Sequence, residues 1–231
     1  MERGALNFYG EQNNGYTKKI PTEVLEGARQ VGESRKAFRR MLERYIHRTG
    51  YTVPEHPKIL NLGCGVCYEA LVLSGYFGGK PWGFESKDVF LVGIDIDKKE
   101  VERAKQEYTT FELNDKNANW IEKPNYRFIQ GDARRLRELV NGEFDVVVAR
   151  HPNVAELPDT WSTIFRESHG LMKPEGLLIA TAFSDIEHEI LEEQVQKAGY
   201  TIALSTANAY ALPLPHKTVS IDRNVLFARK R

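Results

Sequence analysis

Two glycines and an acid form the most informative set of residues in the sequence. Gly63 and Gly65 come directly after the apolar run of residues 58–62, and a helix-like segment follows them. A second apolar run, residues 89–94, ends at Asp95. Glycine lets the backbone approach a ligand closely, and a carboxylate accepts hydrogen bonds from both hydroxyls of a ribose. This pattern predicts that a nucleoside-bearing cofactor is held in an open α/β sheet.

Two residues that could take part in a reaction follow the β-branched run of residues 144–149. His151 is the candidate general base, because imidazole titrates near neutral pH; a structural histidine bonded to the backbone is the alternative. Arg150 could hold an acidic substrate through a bidentate contact, or pair with a surface carboxylate. His216 lies in a proline-containing loop near the end of the chain, where it could belong to a lid or face solvent.

Cys64 and Cys67 spell C-x-x-C at the same turn, a spacing that also occurs in redox pairs. A redox site has no need of the acid that ends the second apolar run. A zinc site would require a second pair of ligands, and the six histidines are scattered. We therefore interpret both cysteines as small residues in a binding turn, and we expect no metal site.

Length and composition limit the possible classes of protein. The 231 residues suffice for one α/β domain with a full core, and 41% hydrophobic with 28% charged residues is typical of a soluble globular protein. The formal net charge is zero, so no overall field favours nucleic acid or an anionic membrane. No apolar run approaches the roughly 18 residues of a membrane span, and residues 1–20 lack the apolar segment of a signal peptide. We expect a cytoplasmic protein with reduced thiols.

The periodicity of the apolar residues predicts alternating strands and helices. Strands are predicted at residues 59–62, 89–94, 126–130, 144–149, 177–183, 200–207 and 219–229. Helices are predicted at residues 21–48, 68–76, 98–109, 133–140, 162–172 and 186–198. This alternation indicates an α/β fold with a mostly parallel sheet and helices on both faces. The last two strands have no helix between them, so they should form an antiparallel pair at one edge.

Two polar segments depart from this alternation. Residues 1–20 show no period and are expected to form a mobile arm, and residues 114–125 are expected to be a surface excursion. We expect one structural domain in two parts: residues 1–57, an arm and a helix packed on the core, and residues 58–231, which bind the cofactor.

The order of the motifs favours one family of cofactor-binding proteins. A dinucleotide-binding turn would have a third glycine where Tyr68 stands, and a phosphate-binding loop would continue with Gly-Lys-Ser/Thr, which the sequence lacks. The segments ILNLGCG, GIDID, QGDARRL, FDVVVARHP and LMKPEGLLIATAF instead resemble, in order and spacing, the motifs of class I S-adenosylmethionine-dependent methyltransferases. The resemblance spans residues 58–183. It implies a Rossmann-like, doubly wound sheet of seven strands with the last strand antiparallel, and S-adenosylmethionine as the cofactor, with S-adenosylhomocysteine as its product.

By the same resemblance, the cofactor lies across the carboxyl ends of the strands. Its methionine part is implied to lie over Gly63, Cys64 and Gly65. Asp95 is implied to receive the ribose hydroxyls, and Ile96 to flank the adenine.

The remaining contacts implied by the resemblance come from the third and fourth strands. Asp132 and the backbone of Ala133 are implied to receive the exocyclic amine of the adenine, because a carboxylate only accepts hydrogen bonds. Arg150 and His151 are implied to lie beside the sulfonium and its methyl group. Asp95 and Asp132 could alternatively do no more than cap the helices that follow them.

Two positions depart from the pattern of the family. Asn61 stands where most relatives have Asp or Glu, and Cys67 stands where a third glycine is common. An amide can accept a hydrogen bond from the amino group of the cofactor, but without a charge, so weakened binding is expected.

The segment after the fourth predicted strand favours a small-molecule acceptor. Methylases of exocyclic or glutamine amides usually carry Asp/Asn-Pro-Pro-Tyr there, whereas residues 150–153 are Arg-His-Pro-Asn.

The helix around residues 29–48 has seven basic against two acidic side chains and could hold RNA, but no aromatic residues interleave with them, and a solvated face is the alternative. Three other functions are possible alternatives. The chain could be a methyltransferase-like protein that binds without catalysing a reaction and acts as a binding or partner subunit, an RNA or protein methyltransferase, or an aminopropyl transferase. The oligomeric state is left open.

Overall fold

The structure is a computed structural model, and it describes residues 22–82, 84–114, 117–122, 125–214 and 220–230. The predicted arm at residues 1–20 and the candidate lid residue His216 lie outside the described residues. No helix within the described ranges combines the length and the hydropathy needed to span a bilayer.

The described residues form alternating helices and strands. The α-helices are α1 (Thr22–Tyr45), α2 (Ala70–Phe77), α3 (Lys98–Glu107), α4 (Leu136–Leu139), α5 (Pro158–Gly170) and α6 (Asp185–Lys197), with 3-10 turns at Ile46–Thr49 and Ala133–Arg135. The strands are β1 (Lys58–Leu62), β2 (Phe90–Asp95), β3 (Thr109–Asn114), β4 (Asn117–Glu122), β5 (Tyr126–Gln130), β6 (Phe144–Arg150), β7 (Met172–Ala182), β8 (Thr201–Ala207), β9 (Leu212–Pro213), β10 (Ser220–Ile221) and β11 (Asn224–Arg229).

One sheet of seven strands organises the domain, in the order β5-β2-β1-β6-β7-β11-β8. The strands from β5 to β7 are parallel to their neighbours, whereas β11 runs antiparallel to both β7 and β8. The predicted α/β fold is thereby confirmed, as a Rossmann-like, doubly wound sheet that is mostly parallel with its last strand antiparallel. The expected antiparallel pair at one edge is β8 with β11.

Hydrophobic cores lie on both faces of the sheet, because successive side chains of a strand point to opposite sides. Along β6, Val146 and Val148 belong to the core under α1, α2 and α3, whereas Val147 and Ala149 belong to the core under α4, α5 and α6. The apolar stripe that the sequence predicts on α1 is buried in the first of these cores; its members are Phe38, Met41, Leu42 and Tyr45.

The expected surface excursion after α3 contains secondary structure that the sequence did not predict. Strands β3 and β4 pair as an antiparallel hairpin, from Thr109 opposite Glu122 to Asn114 opposite Asn117. The polar residues of this segment are turn formers, and the strands on either side of them are too short to show a clear apolar alternation.

Three other differences from the prediction have identifiable reasons. Helix α5 begins at Pro158 rather than at residue 162, because proline is well suited to the first turn of a helix. Strand β7 begins at Met172, since the N–H of Glu175 donates to the carbonyl oxygen of Lys230 at 2.9 Å and keeps the chain paired through the Pro-Glu-Gly segment. The last predicted strand is split into β10 and β11 by Asp222, whose φ is +51°.

Candidate functional site

The residues that the sequence singles out converge at one edge of the sheet. Strands β2, β1 and β6 are neighbours and end at Asp95, Leu62 and Arg150. Because the carboxyl ends of parallel strands meet at the same edge, the glycine turn after β1 lies between the other two positions. Open α/β sheets bind ligands at such an edge, which makes it the candidate site.

The turn after β1 is held in a conformation that favours glycine. The φ angles of Gly63 and Gly65 are +62° and +51°, in the left-handed region that a side chain disfavours. The N–H of Gly65 donates to Oδ2 of Asp95 at 2.8 Å, so the carboxylate that ends β2 also fixes the turn. The indole of Trp161 on α5 lies 3.5 Å from the place that a Cβ of Gly63 would occupy.

Asp95 is not a helix cap. Its Oδ1 accepts a hydrogen bond from the N–H of Asp97 at 2.8 Å, and Asp97 itself caps α3 by accepting from the N–H groups of Lys99 and Glu100. The alternative reading of Asp95 as the cap of α3 is therefore wrong. A carboxylate has about four lone-pair sites, so Asp95 can still accept from ribose hydroxyls.

The residues predicted to contact adenine follow two neighbouring strands, β2 and β5. The side chain of Ile96 is 68% exposed, an apolar surface that a flat ring could cover. Asp132 caps the following 3-10 turn by accepting from the N–H of Arg134 at 2.9 Å. The side chain of Arg134 also bonds to Asp132 and is the main reason why the pKa of that carboxyl is lowered. Asp132 therefore does cap, and its contact with adenine, like that of Ala133, stays a prediction.

Asn61 is a buried amide with an unusual partner. Its Nδ2 donates to Oε1 of Glu69 at 2.6 Å and to Sγ of Cys67 at 3.1 Å. Its Oδ1 is buried and has no hydrogen-bond partner. A buried acceptor without a donor is unfavourable, and a ligand that carries an N–H donor would satisfy it. The amino group of S-adenosylmethionine is such a donor, so the residues present fit the predicted cofactor.

Arg150 pairs with a carboxylate that the sequence did not single out. Its Nε and Nη2 donate to Asp222, at 3.0 Å to Oδ1 and 2.6 Å to Oδ2, and its Nη2 also donates to the hydroxyl of Ser34 on α1 at 2.8 Å. The guanidinium lies over the ring of Phe38, 4.8 Å from its centroid. Its side chain is only 11% exposed and that of Asp222 only 2%. Arg150 thus joins β6 to α1 and to the turn before β11, and its predicted contact with the cofactor stays a prediction.

The charges of this pair shift both pKa values. Burial on its own would raise the pKa of Asp222, but Arg150 and His151 lower it far below its usual range. Burial would lower the pKa of Arg150, but the nearby Asp222 carboxylate raises it. The two groups therefore stay ionised as a buried ion pair.

His151 shares this carboxylate. Its Nε2 lies 2.8 Å from Oδ1 of Asp222 and accepts a hydrogen bond from the backbone N–H of the same residue at 3.0 Å. Its ring stacks on Phe183, with centroids 3.9 Å apart, and its φ is +57°. The imidazole is consequently held in one orientation at the carboxyl end of β6.

The two cysteines are free and buried in the turn. Cys67 has a φ of +58°, the left-handed conformation that the missing glycine would have adopted. Burial is the main cause that raises the pKa of its thiol well above the ordinary value. A thiol that stays protonated is a poor nucleophile, in agreement with the interpretation of Cys67 as a small residue of the binding turn. Among the described residues, no group of three His, Cys, Asp or Glu side chains could hold a metal ion.

A cavity of about 310 Å³ opens at the opposite, amino edge of the sheet. The charged side chains that line it already have partners. Asp145 accepts from Nζ of Lys173 and from the backbone N–H of Lys58, both at 2.8 Å, and Arg229 donates to Glu175 at 2.8 Å. This cavity lies far from the carboxyl ends of the strands, so we do not assign the candidate site to it.

Sequence reasoning missed several residues of the site. Glu69 and Asp222 stand inside a predicted helix and a predicted strand, where no local pattern distinguishes them. The only available signal for Glu69 was that it is an acid within a largely apolar predicted helix. Trp161 follows β6 at a distance in sequence that no motif specifies, and Phe183 directly follows β7; only the fold brings these side chains against Gly63 and His151.

Comparisons with known proteins identify the family and the fold. A family model described as a methyltransferase domain matches residues 55–221. A search of curated proteins finds no match.

Solved structures with the same fold are numerous. A TehB-like SAM-dependent methyltransferase from Corynebacterium glutamicum has a TM-score of 0.56 at 16% identity, over 90% of this chain and 97% of that chain. The magnesium protoporphyrin IX methyltransferase from Synechocystis with bound SAM has a TM-score of 0.57 at 15% identity, over 92% and 86%. A S-adenosylmethionine-dependent methyltransferase from Clostridium acetobutylicum has a TM-score of 0.60 at 10% identity, over 90% and 96%. At these identities the likeness shows the fold.

Proposed function

The chain belongs to the methyltransferase domain family of class I S-adenosylmethionine-dependent enzymes, and from this premise we propose that it methylates a small molecule. The cofactor is S-adenosylmethionine, and S-adenosylhomocysteine is its product. We place the cofactor on the glycine turn, with Asn61, Gly63, Cys64 and Gly65 around its methionine part. We place its nucleoside between Asp95, Ile96, Asp132 and Ala133.

The position of α1 is the observation that supports a small acceptor. Ser34 on this helix bonds to Arg150, and Phe38 lies under the same guanidinium. Nε of Arg35, the residue after Ser34, donates to the carbonyl oxygen of Tyr68 in the loop after β1, at 2.6 Å. The helix therefore covers the carboxyl edge between β1 and β6. A covered edge admits a compact acceptor more readily than a folded RNA or protein.

Three of the basic residues of α1 give little support to an RNA acceptor. Arg35 is directed at the loop after β1, and Arg39 donates to Glu43 at 2.6 Å and to the carbonyl oxygen of Lys80. Lys36 donates to Glu33 at 3.1 Å. Because these side chains have acceptors within the chain, the helix presents a weaker positive surface than its composition suggests.

The chemistry needs alignment more than a strong catalyst. When bound, S-adenosylmethionine supplies a methyl group on a sulfonium, an activated leaving group. The site has to orient the acceptor and exclude water, and α1 over the edge can do both. If the acceptor must lose a proton, His151 is the candidate base, and the charge of Asp222, whose Oδ1 lies 2.8 Å from Nε2, stabilises the imidazolium that forms. Arg150 keeps Asp222 in place for that role.

Transfer of a labelled methyl group tests this proposal. The protein is incubated with methyl-labelled S-adenosylmethionine and a cell extract separated into small-molecule, RNA and protein fractions. We expect label in the small-molecule fraction, and a rate about 100-fold lower for His151→Asn if the acceptor requires a general base.

Other distributions of label would contradict the proposal in different ways. Label confined to RNA or protein would replace the small-molecule acceptor. Binding of the cofactor without label in any fraction would favour the alternative, a fold that binds but does not turn over. The cytoplasmic location stays a prediction from the sequence.

A further inference from the structure

We propose that Glu69 supplies the negative charge that holds the α-ammonium of the cofactor, in place of the acid that is missing at position 61. This inference rests on the proposed function. It concerns two side chains that are almost fully buried at the carboxyl end of β1: Asn61 is 1% exposed and Glu69 is 7% exposed.

The orientation of the Asn61 amide follows from its neighbours. A carboxylate only accepts hydrogen bonds, so the amide must turn its NH₂ group toward Oε1 of Glu69, at 2.6 Å. The same NH₂ group donates to Sγ of Cys67 at 3.1 Å. Oδ1 therefore points away from both partners, and it is the buried acceptor without a donor.

Glu69 forms no salt bridge within the described residues. Arg150 interacts with it electrostatically, but the salt bridge of Arg150 is with Asp222 at 2.6 Å, and Nη2 of Arg35 lies 3.7 Å from Glu107. A cation that binds directly beside a buried carboxylate stabilises it.

An ammonium group satisfies both requirements at once. It carries one positive charge and three N–H donors, so it can donate to Oδ1 of Asn61 and to the carboxylate of Glu69 together. Among the parts of the proposed cofactor, the α-ammonium is the group with this chemistry. The pair therefore recognises the amino-acid end of the cofactor rather than the nucleoside.

The pair also explains why position 61 is an amide. An aspartate at that position would bring a second carboxylate to within hydrogen-bond distance of Glu69, and two like charges so close cannot both be ionised. An asparagine at position 61 avoids this repulsion. The negative charge that an acid at position 61 would supply is supplied by Glu69 in this chain. The expectation from the sequence that Asn61 weakens binding does not follow when Glu69 is included.

Calorimetric titration with two ligands tests the role of Glu69. The ligands are S-adenosylhomocysteine and its analogue in which hydrogen replaces the α-amino group. Three variants are compared with the unaltered chain: Glu69→Gln, the double variant Asn61→Asp/Glu69→Gln, and Glu43→Gln, a control on the exposed face of α1.

We expect Glu69→Gln to weaken the binding of S-adenosylhomocysteine by about 10- to 100-fold, the range for one charged hydrogen bond. The affinity for the analogue should change by less than about twofold. The double variant restores the charge at position 61 and should recover most of the affinity. Glu43→Gln should bind both ligands as the unaltered chain does.

Three results would overturn the inference. They are unchanged affinity of Glu69→Gln for S-adenosylhomocysteine, equal losses for both ligands, and equal binding of both ligands by the unaltered chain. The last comparison decides the matter even if Glu69→Gln fails to fold. If the unaltered chain binds neither ligand, the proposed function itself is refuted, which is a different result from any of these three.

Discussion

Replacing Asp222 with Asn is expected to lower the free energy of unfolding by about 3–5 kcal/mol at pH 7. The variant keeps the size of the side chain but leaves the guanidinium of Arg150 buried, with a side chain 11% exposed, and without its counter-charge. It also removes the carboxylate next to His151. Urea denaturation followed by circular dichroism measures the change.

The loss of unfolding free energy in Asp222→Asn should depend on pH. The pKa of Asp222 is far below its usual range in the folded state, because Arg150 and His151 outweigh the effect of burial. A depressed pKa contributes stability that is complete above the unfolded value of about 4 and decreases as the pH falls below it. The difference in unfolding free energy between the unaltered chain and the variant should be constant above about pH 5. It should shrink by up to about 1.4 kcal/mol for each pH unit below about 4.

Two further variants test whether the buried ion pair is the cause of the lost stability. Asp185→Asn removes an exposed carboxylate that bonds to Arg223 at 2.7 Å, and it should have a much smaller effect because solvent screens that pair. Arg150→Met combined with Asp222→Asn removes both charges, and it should be less destabilised than Asp222→Asn alone. An Asp222→Asn loss no larger than that of Asp185→Asn would contradict the importance of the buried pair.

Replacing Asp95 with Ala is expected to weaken S-adenosylhomocysteine binding by about 100-fold. The variant loses the proposed hydrogen bonds from two ribose hydroxyls to a charged acceptor, at roughly 1.5 kcal/mol each. It also releases the N–H of Gly65, which the carboxylate holds at 2.8 Å in the turn below the cofactor. Isothermal titration calorimetry measures the affinity.

Asp97→Ala provides a matched control two residues further along the chain. Asp97 caps α3 and accepts from the N–H of Lys99 at 2.8 Å, so its removal should reduce stability by about 1 kcal/mol. The affinity for the ligand should stay within about twofold of the unaltered chain. If Asp95→Ala binds as tightly as Asp97→Ala, the assignment of Asp95 to the ribose is wrong.

The sequence predicts the architecture well because the apolar periodicity of this chain is local information. Strands such as β1 and β6 are short apolar runs bounded by turn residues, and the order of their motifs determines the parallel sheet and its cofactor edge. Asp95 could be identified because it ends an apolar run, and a position at the end of a strand is readable from a single chain.

The partners of the site could not be predicted, since they depend on contacts between distant segments. Arg150 and Asp222 are brought together by the antiparallel insertion of β11 beside β7, which no local pattern specifies. Glu69 lies in a loop that the periodicity assigns to a helix, and its bond to Asn61 depends on the course of the turn. The sequence therefore indicates which residues carry chemistry, but not which of them neutralise one another.

Calorimetric titration of the unaltered chain with S-adenosylmethionine tests the central claim most directly. The glycine turn, Asp95 and the Asn61–Glu69 pair all lie at the edge where the cofactor is proposed to bind. A methyltransferase with this site should bind one cofactor per chain with a dissociation constant in the micromolar range. The absence of any binding heat at millimolar S-adenosylmethionine would contradict the account.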